Sequence, residues 1–262
     1  MKTLRFCYKM QIDFDQPIQK HRFTVRFTPV NTRRQNIEEL HTDVYPKEFL
    51  STDEDSFGNI CIYGYCHDAH NRFYIDVEGQ AVTGLSHYEN AADLHRVGMY
   101  RYATKYTVPG DTLKNYHKDF HFRENTANYA RALWMMEQLY RDFSYASGTT
   151  TIATTAEEAL TQGKGVCQDY SHILIALCHM EKIPARYVVG MLEGEGLSHA
   201  WVEIYENGMW IGLDPTNNLV VQDQHIKVSN GRDYGDCTIN QGIFTGTASQ
   251  TQTASVIVEE VK

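Results

Sequence analysis

The sequence predicts an α+β fold, with strands and helices segregated along the chain. Three observations carry that expectation. Residues 1 to about 110 hold short alternating runs separated by turn chemistry. Two amphipathic helical stretches follow in the middle of the chain. The remainder reads as strands, two of them joined by a tight hairpin. Strands, then helices, then an antiparallel meander fit α+β and not a doubly wound sheet. We therefore expect an N-terminal β-sandwich-like domain over residues 1–110. A second domain over 111–262 would pack a helix on an antiparallel sheet.

Taken in order, residues 1–9 alternate like a strand, as do residues 23–30 and 73–78. Asp55-Ser56-Phe57-Gly58-Asn59 supplies a turn before the apolar run Ile60-Cys61-Ile62-Tyr63. The pattern changes after Pro109-Gly110-Asp111. Residues 125–143 predict an amphipathic helix with Tyr129, Leu133, Met136 and Tyr140 on one face. A shorter helix is expected over 156–160, where Thr155 is a good N-cap and Glu157 and Glu158 complement the dipole. Another runs from Cys167 to about Glu181, with Tyr170, Ile173, Leu174, Leu177 and Cys178 on a common face, and Ile183-Pro184 ends it. Strands are expected over 186–192, 198–205, 209–214 and 255–261.

Composition narrows the function classes. The formal net charge is −9 and no Lys/Arg cluster appears, so neither nucleic acid nor an anionic membrane surface is expected as a partner. No stretch approaches 18 apolar residues, and the N-terminus lacks a continuous apolar segment, so no membrane span or signal peptide is read. The six cysteines lie at 7, 61, 66, 167, 178 and 237 with no CxxC pair, which predicts a reduced, cytoplasmic protein.

Cys167 is the residue with the most chemistry behind it. It sits in Gly165-Val166-Cys167-Gln168-Asp169-Tyr170, where a glycine-rich turn opens a helix. The thiolate is the nucleophilic form of cysteine, and an ordinary thiol has a pKa of about 8.5. A helix N-terminus favours the anion and presents free N–H groups to an oxyanion. Cys178, on the apolar face of the same helix, reads as an inert buried thiol.

The base and its orienting group follow from a register count. Glu206-Asn207-Gly208-Met209 predicts a two-residue hairpin in which residue 206 pairs with 209. His199 then faces Thr216, and Asp214 is a diagonal neighbour on the same side, about 7–8 Å away and within side-chain reach. A slip of one residue would separate the two. Cys167, His199 and Asp214 therefore form a candidate nucleophile, base and orienting carboxylate.

These residues resemble those of a known family. Gly165-Val166-Cys167-Gln168-Asp169-Tyr170, Ile183-Pro184-Ala185-Arg186-Tyr187-Val188, His199-Ala200-Trp201-Val202-Glu203 and Asp214-Pro215-Thr216 are similar to successive motifs of the transglutaminase-like superfamily. Gly231-Arg232-Asp233-Tyr234-Gly235-Asp236 resembles an element of its bacterial branch. Phe27-Thr28-Pro29 and Phe57-Gly58-Asn59 are similar to that branch's N-terminal β-rich domain. The resemblance implies a papain-like core with a Cys-His-Asp triad on Cys167, His199 and Asp214. It also implies a thiol-dependent peptidase or amidase acting on a peptide or protein substrate through a thioacyl enzyme. A transglutaminase or deamidase acting on glutamine side chains is the second reading, and a non-catalytic protein-binding module the third.

No acidic cluster resembles a calcium loop, so no calcium, and no other cofactor, is expected. Cys61, Cys66, His67 and His70 are potential zinc ligands, but their spacing is not that of a zinc finger or ribbon, and they read as strand and turn residues. His117, His121 and His172 read as solvated or structural. The Cys167 N–H is the expected oxyanion donor; Gln162 and Gln168 could each add a side-chain amide, but read first as solvated loop residues. Trp201 reads either as a cleft wall or as a packed indole. Arg232 could bind a substrate carboxylate, and reads first as a structural ion pair with a nearby Asp.

Overall fold

The computed structural model of the chain describes residues 1–90 and 97–261. The fold is mostly β, with 48% strand against 19% helix, so strands weigh more heavily than the expected α+β description implies. Strand β1 spans Lys2–Thr28 and is followed by β2 (Gln35–Tyr45), β3 (Phe49–Glu54), β4 (Ile60–Cys66), β5 (His70–Thr83) and β6 (Glu89–Asn90). A short 3-10 turn at Gly98–Arg101 leads to α1 (Asp111–His117) and α2 (Asn128–Asp142). Then come β7 (Ser144–Tyr145), α3 (Ala156–Gln162), β8 (Lys164–Gly165) and α4 (Cys167–Met180). The chain continues through β9 (Ala185–Leu192), β10 (Gly194–Gly196), β11 (His199–Glu206), β12 (Met209–Asp214) and β13 (Leu219–Val220). It closes with β14 (His225–Gly231), β15 (Asn240–Thr245) and β16 (Gln250–Glu260).

The two alternating runs read near the N-terminus are parts of one long strand. In β1 the buried positions are even-numbered from Leu4 through Ile18 and odd-numbered from His21 through Phe27. The parity flips at Lys20, which has φ +50°, next to an irregularity in the pairing between Gln19 and Arg22. A side-chain period of two cannot change face without such a break. The first half of β1 pairs with β5 and β16, and the second half with β4 and β15. The two halves fold over one another, bringing the Tyr8 and Phe27 rings to 3.8 Å.

That pairing joins the two expected domains through their strands. β15 and β16 lie within 111–262, yet both hydrogen-bond to β1. The chain thus returns to its first strand, and one buried apolar cluster extends from Leu4 and Phe6 to Leu174 and Met191. The terminal alternating run was legible, but the identity of its partner strand was not, because strand pairing at long range leaves no local signature.

The second sheet runs β13-β12-β11-β9-β14, with β6 on β12. Helix α4 packs on β11 and β9. It is buried from Gln168 through Cys178 on every side, as befits a helix enclosed by a sheet and other helices, and not on one face as expected. α1 was not expected. α2 buries Ala132, Met135, Met136 and Leu139, while Tyr140 is exposed, so its buried stripe is rotated from the expected one. No helix among the described residues is long and apolar enough to cross a membrane.

Candidate active site

Cys167 occupies the first turn of α4, and three local devices hold it there. Gly163, at φ +69°, ends α3 in the left-handed region that favours glycine. The Asp169 carboxylate accepts the Val166 N–H at 2.7 Å and the Thr150 hydroxyl at 2.7 Å, closing the turn just before the cysteine. Gly165 leaves room for that carboxylate, since a Cβ there would lie 2.4 Å from Asp169 Oδ2. Burial pushes the Asp169 carboxyl upward, and those two hydrogen bonds oppose it. Capping the sequence in this way leaves the Cys167 N–H at the open end of the helix.

The hairpin register holds as counted. Glu206 pairs with Met209 and Val202 with Leu213, so the paired numbers sum to 415 throughout the ladder. Beyond Leu213, β12 leaves β11 and Asp214 enters a turn, in which its Oδ1 accepts the N–H groups of Thr216 and Asn217. His199 Nε2 lies 2.8 Å from Asp214 Oδ2. With Nε2 so engaged, Nδ1 is the nitrogen left to face Cys167. The imidazole interacts with the Cys167 sulfur as well as with Asp214.

The electrostatics follow from this packing. Burial lowers the His199 pKa, but the hydrogen bonds and charges of Asp214 and Cys167 outweigh it and raise the value to about 10. Burial raises the Asp214 carboxyl, yet the imidazoles of His199 and His225 together hold it well below the usual carboxylate range. Protonated His199 and ionised Asp214 are thus the favoured pair at neutral pH. Cys178 is fully buried, and burial drives its thiol far up, as an inert core thiol requires.

His225 is the residue that sequence reasoning missed. Its Nε2 lies 3.1 Å from the same Asp214 oxygen, and burial keeps the ring neutral. His225 begins β14, whose pairing with β9 is not a hairpin, so no local signal places it beside Asp214. Among the described residues, His199, Asp214 and His225 form the only set of three or more His, Cys, Asp or Glu groups placed closely enough to share an ion. Their hydrogen bonds to one another already account for that closeness.

The other sequence candidates find separate places. Trp201 is buried against Val188 and Val221 and stacks near His199 at 6.3 Å between ring centroids. It is a packed indole that backs the His199 ring. Gln168 is buried and directs its amide toward the Ile152 carbonyl, while Gln162 is exposed at the end of α3. Arg232 pairs with Asp236 at 2.8 Å. His172 accepts the Tyr234 N–H and sits between the Tyr106 and Tyr187 rings, and burial lowers it to about 3. His117 pairs with Glu181, and His121 is exposed. Cys61 bonds toward Asp55, Cys66 toward the Asp68 carbonyl, His67 to Tyr65 and His70 to His21, so these four serve separate neighbours.

Comparison with known proteins gives the family and the fold. Residues 115–215 match the transglutaminase-like superfamily model, and residues 4–82 match the bacterial transglutaminase-like N-terminal region. The chain belongs to the transglutaminase-like superfamily. An uncharacterized protein of Mycobacterium leprae is 37% identical over 127 residues, covering 45% of this chain and 44% of that protein. An uncharacterized protein of Mycobacterium tuberculosis is 28% identical over 271 residues, covering 89% of this chain and 84% of its own length. The crystal structure of "a Putative Cysteine Protease from Cytophaga hutchinsonii" shares the fold with a TM-score of 0.79 at 23% identity, covering all of this chain and 92% of that one. A thiol-dependent enzyme is supported at the level of the family.

Proposed function

We propose that the protein is a cysteine peptidase or amidase that hydrolyses peptide-like amides with Cys167, His199 and Asp214. The observation that carries the reading is the His199–Asp214 contact at 2.8 Å, made by an imidazole that also interacts with a cysteine at a helix N-terminus.

The roles follow from the contacts. Asp214 fixes the His199 ring through Nε2 and stabilises its protonated form. Protonated His199 pairs with the Cys167 thiolate. The sulfur attacks the amide carbonyl, and the developing oxyanion lies toward the Cys167 N–H. The C–N bond breaks as His199 gives its proton to the leaving amine, leaving a thioacyl enzyme. Water then attacks the thioester while His199 takes its proton, and the C–S bond breaks to release the acid and regenerate the cysteine.

Peptide incubated with the enzyme and a competing primary amine tests the fate of the acyl group. Mass spectrometry of the products is expected to show free acid as the main product. Product predominantly linked to the amine would replace hydrolysis by transamidation.

A further inference from the structure

A cavity of about 530 Å³ opens between the β1–β16 pair and the loops that deliver the proposed catalytic groups. Its floor includes Ile12 and Gln252, which face one another across the β1–β16 ladder. Its rim includes Leu197 and Ser198, which lead directly into His199, and Ile152, whose carbonyl meets the Gln168 amide. The cavity thus borders the segment that leads into His199 and the residue that meets Gln168, and its volume suits a ligand.

The lining has a definite chemistry. The chain carries 24 Lys and Arg and 33 Asp and Glu, yet none of them lines this cavity. His21, the one imidazole present, is buried against His70 and four phenylalanine rings. Of the lining residues, Ile152 and Leu197 are 64% and 65% exposed, so two large apolar side chains stand open to an incoming ligand.

The backbone beside the cavity is also open. β16 pairs with β1 along its whole length, but on its other edge β10 covers only Val256 to Val258. Among the described residues, positions 250–255 have no strand on that edge. An extended peptide can pair with an open sheet edge through its main chain while pockets select its side chains. β10 marks the line such a strand takes, and the residues that follow it are Leu197, Ser198 and His199.

We propose that the substrate is an uncharged, extended peptide segment that occupies this cavity as an added strand on the 250–255 edge of β16, leading its scissile amide to Cys167. The assignment rests on the hydrolase reading and names its substrate class. It also gives the N-terminal sheet a function, as one wall of the substrate cleft.

The test is peptide selection by the Cys167→Ala chain from an N-acetylated, C-amidated random hexapeptide library. The same selection is run with Gln252→Lys and with Thr253→Lys added. Gln252 is exposed and lines the cavity, whereas Thr253 is exposed on the opposite face of β16. Cys167→Ala is expected to enrich uncharged, apolar peptides. Gln252→Lys is expected to enrich Asp or Glu at one peptide position by about tenfold, and Thr253→Lys to select as its parent does. Retention of no peptide, unchanged selection by Gln252→Lys, or an equal shift with Thr253→Lys overturns the assignment. Iodoacetamide labelling of Cys167 in the unmodified chain separates the two claims. Rapid labelling alongside failed selection removes the substrate assignment alone, whereas labelling no faster than that of Cys7 removes the hydrolase reading.

Discussion

Asp214 accepts hydrogen bonds from two imidazoles through a single oxygen, and the two rings carry different charge. His199 is held protonated, while His225 is held neutral by burial and donates from Nε2. Asn217 Nδ2 adds a third donor to that oxygen at 2.9 Å. Removing His199 takes away the proposed base, so His199→Ala is expected to slow amide cleavage by about 10²–10⁴-fold, measured as kcat/KM on any cleaved peptide. His225→Ala removes one donor of several. It is expected to cost about 1–3 kcal/mol of stability in urea unfolding while Cys167 labelling stays within about tenfold of the unsubstituted chain. At this scale the sequence showed three of the four grouped residues. Cys167 carried a turn signal, and His199 and Asp214 share one hairpin, so their separation is a matter of counting. His225 arrives through a strand pairing with no hairpin to count from.

The elements around these residues show how motif positions divide between chemistry and support. Arg186 and Glu203 face one another across the β9–β11 ladder, with Arg186 Nε 2.6 Å from Glu203 Oε2. Lys227 on β14 reaches the same oxygen at 2.9 Å, and Glu89 on β6 pairs with both cations. This buried cluster ties four strands together behind the site. Glu203→Ala would leave Arg186 and Lys227 short of charge and is expected to destabilise the fold by about 3–5 kcal/mol, read from urea unfolding. A change under about 1 kcal/mol would deny the cluster that role. Secondary structure was legible where a cap or a hairpin punctuated it: Thr155 caps α3 with its hydroxyl on the Glu158 N–H, and Asn207-Gly208 turns β11 into β12. The α2 face was misplaced because Tyr129 and Tyr140 are apolar by composition yet sit at the edge of the buried stripe.

For the whole molecule, the opposing histidines set the pH dependence of stability. His199 binds its proton up to about 10 in the folded state, against about 6.5 for an unperturbed histidine. Its contribution is complete below pH about 6.5 and is lost as pH rises through about 10. Burial lowers His21 to about 4, with neighbouring His70 adding to the effect, and lowers His172 to about 3. The unfolded chain takes up those two protons first, so stability falls as pH drops from about 6.5 toward 4, by about 1.4 kcal/mol per pH unit for each residue. Urea midpoints are therefore expected to peak near pH about 6.5. A steady rise from pH 5 to 9 would contradict this balance. The overall architecture was only partly legible. Alternation identified strands, but the return of β15 and β16 to β1 depends on long-range pairing that no local pattern encodes.

The central claim is an activated thiol, and selective alkylation tests it most directly. Cys7 and Cys167 are the two partly exposed cysteines, while the other four are buried. With trace iodoacetamide at pH 6, Cys167 is expected to label about 10–100-fold faster than Cys7, and His199→Ala to abolish that advantage. Equal labelling of the two thiols, or a Cys167 rate unchanged by His199→Ala, would contradict the account.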